Sequence, residues 1–506
     1  MDAFAWPMLV YFVTVVAVLS IYGVHRYALV WTYLHRVRGT SIPTPTAFTD
    51  LPSVTVQLPM FNEQHVATRI IEAAAAIDYP ADRLQIQVLD DSTDESADIA
   101  RRTCDRLAEQ GVTIEYRHRT DRRGYKAGAL EEGLESATGE FIAIFDADFI
   151  PPAAFLHDTI HHFSAPDIGM VQARWGHLNR NQNWLTRIQA ICLDGHFAIE
   201  QAARSAAGHW FNFNGTAGMW RRRCIDDAGG WQHDTLTEDT DLSYRAQLEG
   251  WTFRYLRDVE CPAELPPTMG AFLSQQRRWT KGLMQTAIKL MPRILRSDAP
   301  IGTKVDAWFH LTSAMPYVAI FLLSLLILPA SFTMLPLWTV PSQVVMALGL
   351  MCLCMGTIAA CVFYITSQRC QGRSIVGAIL MLPALMAVGI GVSASNSMGA
   401  LEAVFGHQTA FVRTPKFNGK QASAADPALR RRSLFPPGTL EVVLGIIMLV
   451  CVGLALTRPF TLVGAVFLLL FAAGFLTVGI PRFASGIMDA RPSRATAIKQ
   501  TPTPAR

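Results

Sequence analysis

The chain has 506 residues, of which 50% are hydrophobic and 17% charged, with a net charge of +3. So small a positive balance gives no footing for nucleic acid, and the basic residues lie mostly beside apolar runs, where anionic lipid is the natural counterpart. The 9 cysteines have no metal-ligand spacing, so neither zinc nor a disulfide framework is expected.

Residues 6–24 are nearly free of charge and long enough for a bilayer core of roughly 30 Å. His25, Arg26, His35, Arg36 and Arg38 follow, which puts the C-terminal end of this run in the cytoplasm. It has neither the basic n-region nor the small-residue cleavage site of a secretory signal, so 1–44 reads as a membrane anchor with its basic flank, N-terminus outside. Hydrophobic runs return at 308–335, 344–365, 375–393, 440–456 and 460–480. The mixed block between them has the size of one soluble domain, so 45–270 reads as a cytosolic domain slung between membrane segments.

Within that block, residues 51–58 are β-rich, and a turn at 59–63 precedes a helix over 66–76. A second strand over 84–89 ends at Asp90, Asp91, Ser92, Thr93 and Asp94, before a helix over 95–109. A third strand, 112–117, leads to Gly124-Tyr-Lys126-Ala-Gly128 and a helix over 129–136. The fourth strand is an apolar run from Phe141 that stops abruptly at Asp146-Ala-Asp148. Such alternation implies a parallel, doubly wound α/β sheet. Ligands bind beyond the carboxyl ends of such strands, where Asn62, Asp90, Asp91, Asp146 and Asp148 all fall. No Gly-x-Gly-x-x-Gly follows the first strand and no P-loop motif occurs, so phosphates are expected to meet a metal rather than a glycine cradle. Asp146 and Asp148 share a strand face and suit a hard divalent cation completed by substrate phosphates. The alternative is a pair of aspartates capping the next turn.

Downstream, Trp210-Phe-Asn212-Phe-Asn214-Gly215-Thr216-Ala-Gly218 suits a loop that brings backbone close to a ligand. Thr237-Glu238-Asp239-Thr-Asp241 opens a helix over 242–249; a helix N-terminus accounts for one acid, not easily for three. Gln275, Arg278 and Trp279 open a helix to Arg296, whose apolar stripe among Lys281, Lys289, Arg293 and Arg296 suits a membrane interface over 271–304. His157, His161 and His162 include an i, i+4 pair, but the Glu of a His-Glu-x-x-His site is missing, and they read as helix-face residues.

In this order and spacing, Asp90-Asp91-Ser, Asp146-Ala-Asp148, Thr237-Glu-Asp239 and Gln275-x-x-Arg278-Trp279 resemble the D, DxD, TED and QxxRW signature of processive family 2 glycosyltransferases. The finer likeness is to cellulose-synthase-like mannan synthases and their xyloglucan-backbone relatives. It is carried by Val88-Leu-Asp-Asp-Ser-Thr-Asp94, Gly124-Tyr-Lys-Ala-Gly-Ala-Leu130, Phe145-Asp-Ala-Asp-Phe149, Phe213-Asn-Gly-Thr-Ala-Gly218 and Gln275-Gln-Arg-Arg-Trp279. Phe411-Val-Arg-Thr414-Pro-Lys416 is similar to the cellulose-synthase gating loop Phe-x-Val-Thr-x-Lys, with Arg413 in place of its Val.

The resemblance implies a nucleotide-diphospho-sugar transferase domain of GT-A type inserted between transmembrane helices. Asp90, Asp91, Lys126, Asp146 and Asp148 would then bind the nucleotide sugar, with Mg2+ or Mn2+ on Asp146 and Asp148. Asp239 would be the general base of an inverting displacement. Asn214, Glu238, Gln275, Arg278 and Trp279 would meet acceptor or diphosphate, and Phe411, Thr414 and Lys416 would form the gating-like loop. For that loop to reach a cytosolic site, 305–366 must hold two spans and 367–438 an interfacial or re-entrant segment, broken at Pro383. Two more spans over 439–481 leave the basic tail, 482–506, in the cytoplasm, as the positive-inside rule prefers.

The expected product is a β-linked mannan, glucomannan or glucan, made at a plasma or inner membrane from GDP-mannose or UDP-glucose, which no motif here distinguishes. A lipid glycosyltransferase is the rival enzyme. A transporter with a nucleotide-sensing domain is the rival from another class, and it would place ionisable residues in mid-span. Homo-oligomerisation and accessory subunits are left open by the sequence.

Overall fold

The computed structural model describes residues 5–42, 44–332, 349, 351, 353–407, 409, 435–457 and 462–490. Helix α1 (Ala5–Thr32) runs through a π turn (Tyr33–Val37) into an α/β domain. Leu29, Val30, Tyr33 and Val37 are buried in that domain's second core, so the anchor and the domain are packed as one piece.

The domain follows with β1 (Val54–Met60), α2 (Ala67–Ala75), β2 (Leu84–Asp90), α3 (Ser96–Glu109), β3 (Ile114–His118), α4 (Tyr125–Ser136) and β4 (Phe141–Ile144), the alternation expected from the sequence. It continues with α5 (Phe155–Ile160), β5 (Ile168–His177), α6 (Trp184–Gly195), a π turn (His196–Gln201), α7 (Ala202–Ala207), β6 (Gly218–Arg221), α8 (Arg222–Asp227), α9 (Glu238–Leu248) and β7 (Thr252–Ala263).

The seven strands form one sheet in the order β3-β2-β1-β4-β6-β5-β7. β1, β2, β3 and β4 are mutually parallel, and β5 is parallel to β7, but β6 is antiparallel to both of its neighbours. The expectation of a wholly parallel sheet is therefore corrected at β6. The chain reaches β6 from the carboxyl edge of the sheet, so 210–217 lies beside the ends of β1 and β4 before the strand runs back. One core lies under α2, α3 and α5 and the other under α4, α8 and α9. Strands with helices on both faces carry side chains that are buried throughout, as in β4.

Helix α10 (Met269–Arg296) leaves the domain, followed by α11 (Ile301–Leu311) and α12 (Met315–Phe332). Then come α13 (Ala359–Cys370), α14 (Ile375–Val404), α15 (Thr439–Leu456) and α16 (Leu462–Ala490). Among the described residues, four helices are long and apolar enough to cross a membrane: Val10–Val37, Ile375–Val404, Thr439–Leu456 and Ala465–Ile487. A fifth follows if Ile301–Leu311 and Met315–Ile327, bent by 51°, act as one span. The break expected at Pro383 does not occur, because that proline lies inside the continuous α14. The expected span 344–365 falls partly outside the described residues. Phe411, Thr414 and Lys416 lie wholly outside them.

Candidate active site

A cleft opens at the carboxyl edge of β1, β2 and β4. Asp91, Lys126, Asp146, Asp148, Asn214, Glu238, Asp239, Gln275, Arg278 and Trp279 all line it, from segments spread over almost two hundred residues of sequence. Three non-glycine residues with positive φ stand around it: Asn62 (54°), Tyr125 (51°) and Ala217 (56°). Backbone held in that region by its surroundings is concentrated at functional sites.

Lys126, in the first turn of α4, donates to Oδ1 of Asp146 at 2.5 Å and to the carbonyl of Gly215 at 2.7 Å. The Asp146 N–H donates to Oγ1 of Thr216 at 2.9 Å, so the turn after β4 and the loop before β6 are fastened together. For a divalent cation, Asp146 and Asp148 offer hard oxygen donors, and an ammonium already rests against one of them, so the position suits positive charge. No group of three His, Cys, Asp or Glu able to hold a metal occurs among the described residues. The donor set therefore fits an ion whose remaining ligands come from phosphate and water, as is usual for Mg2+.

Glu238 and Asp239 occupy the first turn of α9, where the acids face the positive end of the helix. Burial pushes the Asp239 carboxyl up to about 7, and the neighbouring Glu238 adds to the rise while Lys126 opposes it. Glu238 is also raised, by burial first, against the pull of Lys126. The third acid, Asp241, is structural: fully buried, it pairs with Arg245 at 2.8 Å and Lys289 at 2.9 Å, tying α9 to α10. Gly215 has φ of +79°, and a Cβ there would come within 3.0 Å of Asp239 Oδ2 and 3.4 Å of Lys126 Nζ. Only a glycine allows the backbone to turn so close to both charges.

Helix α10 begins at Met269, a turn and a half before the predicted start, so Gln275, Arg278 and Trp279 sit well inside it. At i, i+3 and i+4 they share one face. Gly282, one turn further on, lies so close to Thr237 that a Cβ would come within 2.5 Å of its side chain, which presses α10 against the start of α9.

Asp90 is fully buried and does not line the cleft. Its Oδ1 accepts from the Ser92 N–H at 2.9 Å and its Oδ2 from the Tyr116 hydroxyl at 2.8 Å. Asp91 does line the cleft, gripped by Arg119 through two bonds of 2.7 Å. The sequence reading missed Arg119, and also Arg122, which lies over the Phe61 ring at 3.3 Å, and Trp175, whose ring centroid is 6.5 Å from that of Trp279. The basic run Arg117 to Arg123 between a strand and the Gly124 turn was the available signal for the arginines. The histidines weighed as a metal pair are structural: His161 Nδ1 accepts from the Phe48 N–H at 3.1 Å, His157 packs on Tyr79, and burial pushes His162 down to about 4.

Residues 52–282 match the model of a family described as "Glycosyltransferase like family 2". The chain is 43% identical over 302 residues to the probable glucomannan 4-beta-mannosyltransferase 11 of Oryza sativa subsp. japonica, covering 57% of this chain and 53% of that protein. It is 41% identical over 299 residues to glucomannan 4-beta-mannosyltransferase 7 of Arabidopsis thaliana, covering 57% of this chain and 54% of that protein. The chain thus spans about half the length of the curated relatives it matches. In fold it is similar to the mannosyltransferase PcManGT from Pyrobaculum calidifontis, solved in complex with GDP-Man and Mn2+. That likeness has a TM-score of 0.52 at 19% identity, over 78% of this chain and 100% of that one.

Proposed function

We propose that this chain, whose residues 52–282 are a glycosyltransferase family 2 domain of GT-A type, transfers mannose from a nucleotide donor to a growing β-linked polysaccharide at a membrane. The observation that carries the reading is the meeting in one cleft of Asp146 and Asp148 with Lys126, Asp239 and the Gln275–Arg278–Trp279 face of α10. The names of the relatives favour mannan or glucomannan as product and GDP-mannose as donor, with UDP-glucose the other candidate.

Asp91, steadied by Arg119, would meet the nucleoside. Asp146 and Asp148 would hold Mg2+ or Mn2+, which when bound offsets negative charge on the diphosphate. Lys126 adds a positive charge of the protein's own, able to turn from Asp146 toward a phosphate oxygen. Asp239 would take the proton of the acceptor hydroxyl as that oxygen attacks the anomeric carbon, inverting an α-linked donor to a β-glycoside. A carboxyl near 7 is well matched to that task at neutral pH. Gln275 and Arg278 would hold acceptor or diphosphate oxygens, and Trp279 offers a flat ring for a sugar.

The membrane arrangement follows the same reading. α14 is tied at both ends: Arg373, just before it, pairs with Asp194 of α6 at 3.7 Å, and Glu402, near its end, pairs with Arg277 of α10 at 2.5 Å. On this reading a helix so held would lie along the membrane interface. That course would leave α1, the bent α11–α12 pair, α15 and α16 as the crossings among the described residues.

Nucleotide binding tests the cleft directly. The purified full chain should bind GDP with an affinity that rises on addition of Mn2+ or Mg2+, and Asp146→Asn or Asp148→Asn should remove the metal's contribution. Equal affinity with and without metal in the unmodified chain would count against the assignment.

A further inference from the structure

We propose that His196 and Glu200 are positioning residues of the transfer site, acting through the side-chain amide of Asn214. The role rests on the function proposed above, and it arises from a π turn that the sequence does not announce.

The hydrogen bonds fix their own directions. Gln201 Nε2 lies 3.0 Å from the carbonyl of Asn212, which can only accept, so the nitrogen of that amide faces the loop. The same Nε2 lies 2.7 Å from the Asn214 side chain, which must therefore present its oxygen there. Asn214 Nδ2 is then the atom 2.9 Å from His196 Nε2. An amide nitrogen donates and does not accept, so His196 Nε2 carries a lone pair and its proton is on Nδ1. Nδ1 donates in turn to Glu200 Oε2 at 2.9 Å. The backbone N–H of Asn214 donates to Gln172 Oε1 at 2.9 Å, holding the main chain as well.

The turn His196–Gln201 is a π-helix. Its wider i to i+5 turn brings residues 196 and 201 to one side, where an α-helix would separate them, and π turns recur at functional sites. Asn214 lines the cleft next to Gly215, which abuts Asp239. His196 takes one hydrogen of the Asn214 amide, and the other is available to a hydroxyl of the acceptor sugar beside the proposed base.

The chain of contacts does not stop at Glu200. Arg204 lies 3.5 Å from the same Oε2, and its Nε donates to Asp306 Oδ2 at 2.8 Å. The other oxygen of Asp306 is 2.8 Å from His25 Nε2. Arg204 is on α7, Asp306 on α11 and His25 on α1, so the amide in the cleft is braced against two helices of the membrane region. An isolated buried charge is strongly unfavourable, and this pairing offsets that penalty along the line.

A double-mutant cycle on the purified full-length chain tests the role. The unmodified chain, H196A, N214A and the double variant are compared for transfer at varied acceptor, for GDP affinity with Mn2+, and for thermal melting. H196A should raise the acceptor KM roughly tenfold, the order of one hydrogen bond, with GDP affinity unchanged. The double variant should be no worse than N214A alone. His196→Gln, whose amide oxygen can accept from Asn214, should recover most of the loss. Independent, multiplying losses in the double variant overturn the proposal, as does a lower melting temperature with an unchanged acceptor KM. If the unmodified chain transfers no sugar from any donor, the proposed function falls and this role with it. An active chain with multiplying losses removes the role alone.

Discussion

Lys126 Nζ lies 2.5 Å from Asp146 Oδ1 and 2.7 Å from the Gly215 carbonyl, so one ammonium joins the acidic turn after β4 to the glycine loop before β6. Glu238 and Asp239 also face it. Replacing Lys126 by Met keeps the stem and removes the charge. GDP affinity in Mn2+, read by calorimetry, should fall about tenfold or more, the order of one charge-assisted hydrogen bond. Unchanged affinity would mean that the ammonium serves only to hold Asp146.

The raised carboxyl of Asp239 gives the pH dependence a sign. A base must be unprotonated, so kcat/KM should rise with pH and level off above about 7. Stability runs the other way. A carboxyl whose folded value lies above its unfolded value near 3.8 favours the protonated folded state, so folding loses stability as pH climbs from about 4 to about 7. Asp239→Asn, which removes that charge, should therefore melt higher than the unmodified chain at pH 8 and alike at pH 4. It should bind GDP and transfer nothing.

Gly215 offers a substitution that acts by geometry alone. Gly215→Ala puts a Cβ 3.0 Å from Asp239 Oδ2 at a φ of +79°. The left-handed conformation should cost about 1 kcal/mol of stability, seen in denaturant melts, while transfer falls far more than that shift implies. Wild-type turnover in this variant would place Asp239 outside the reaction.

Asp90 and Asp91 are adjacent in sequence and should part in experiment. Asp90→Ala strands the buried Ser92 N–H and leaves the Tyr116 hydroxyl only the Ala97 carbonyl at 3.2 Å, an expected loss of about 1–3 kcal/mol in stability. Asp91→Ala removes a carboxylate from the cleft lining and the partner of Arg119 behind it, and should lower GDP affinity with a smaller effect on melting.

The cleft acids were legible in the sequence because each stands where a regular element stops. Asp146 and Asp148 end an apolar strand, Asp91 follows another, and Glu238 and Asp239 open a helix. Gln275, Arg278 and Trp279 were legible by their spacing and their company. The reversal of β6 was not, since Gly218–Arg221 has four residues and its direction depends on which edge of the sheet the preceding loop reaches. His196 and Gln201 were hidden for a related reason: at α-helical spacing they do not share a face, and nothing in the sequence marks the π turn that unites them. Asp90 looked equivalent to Asp91 because one residue of register, at the end of β2, decides which of them enters the core.

The most direct test of the account offers the purified full-length chain labelled GDP-mannose, UDP-glucose and other donors with Mn2+ or Mg2+. Products are then separated by organic extraction and digested with β-mannanase or cellulase. The expected result is label from GDP-mannose in material that resists extraction and is cut by β-mannanase. Label confined to the organic phase, or no transfer from any donor, would contradict it.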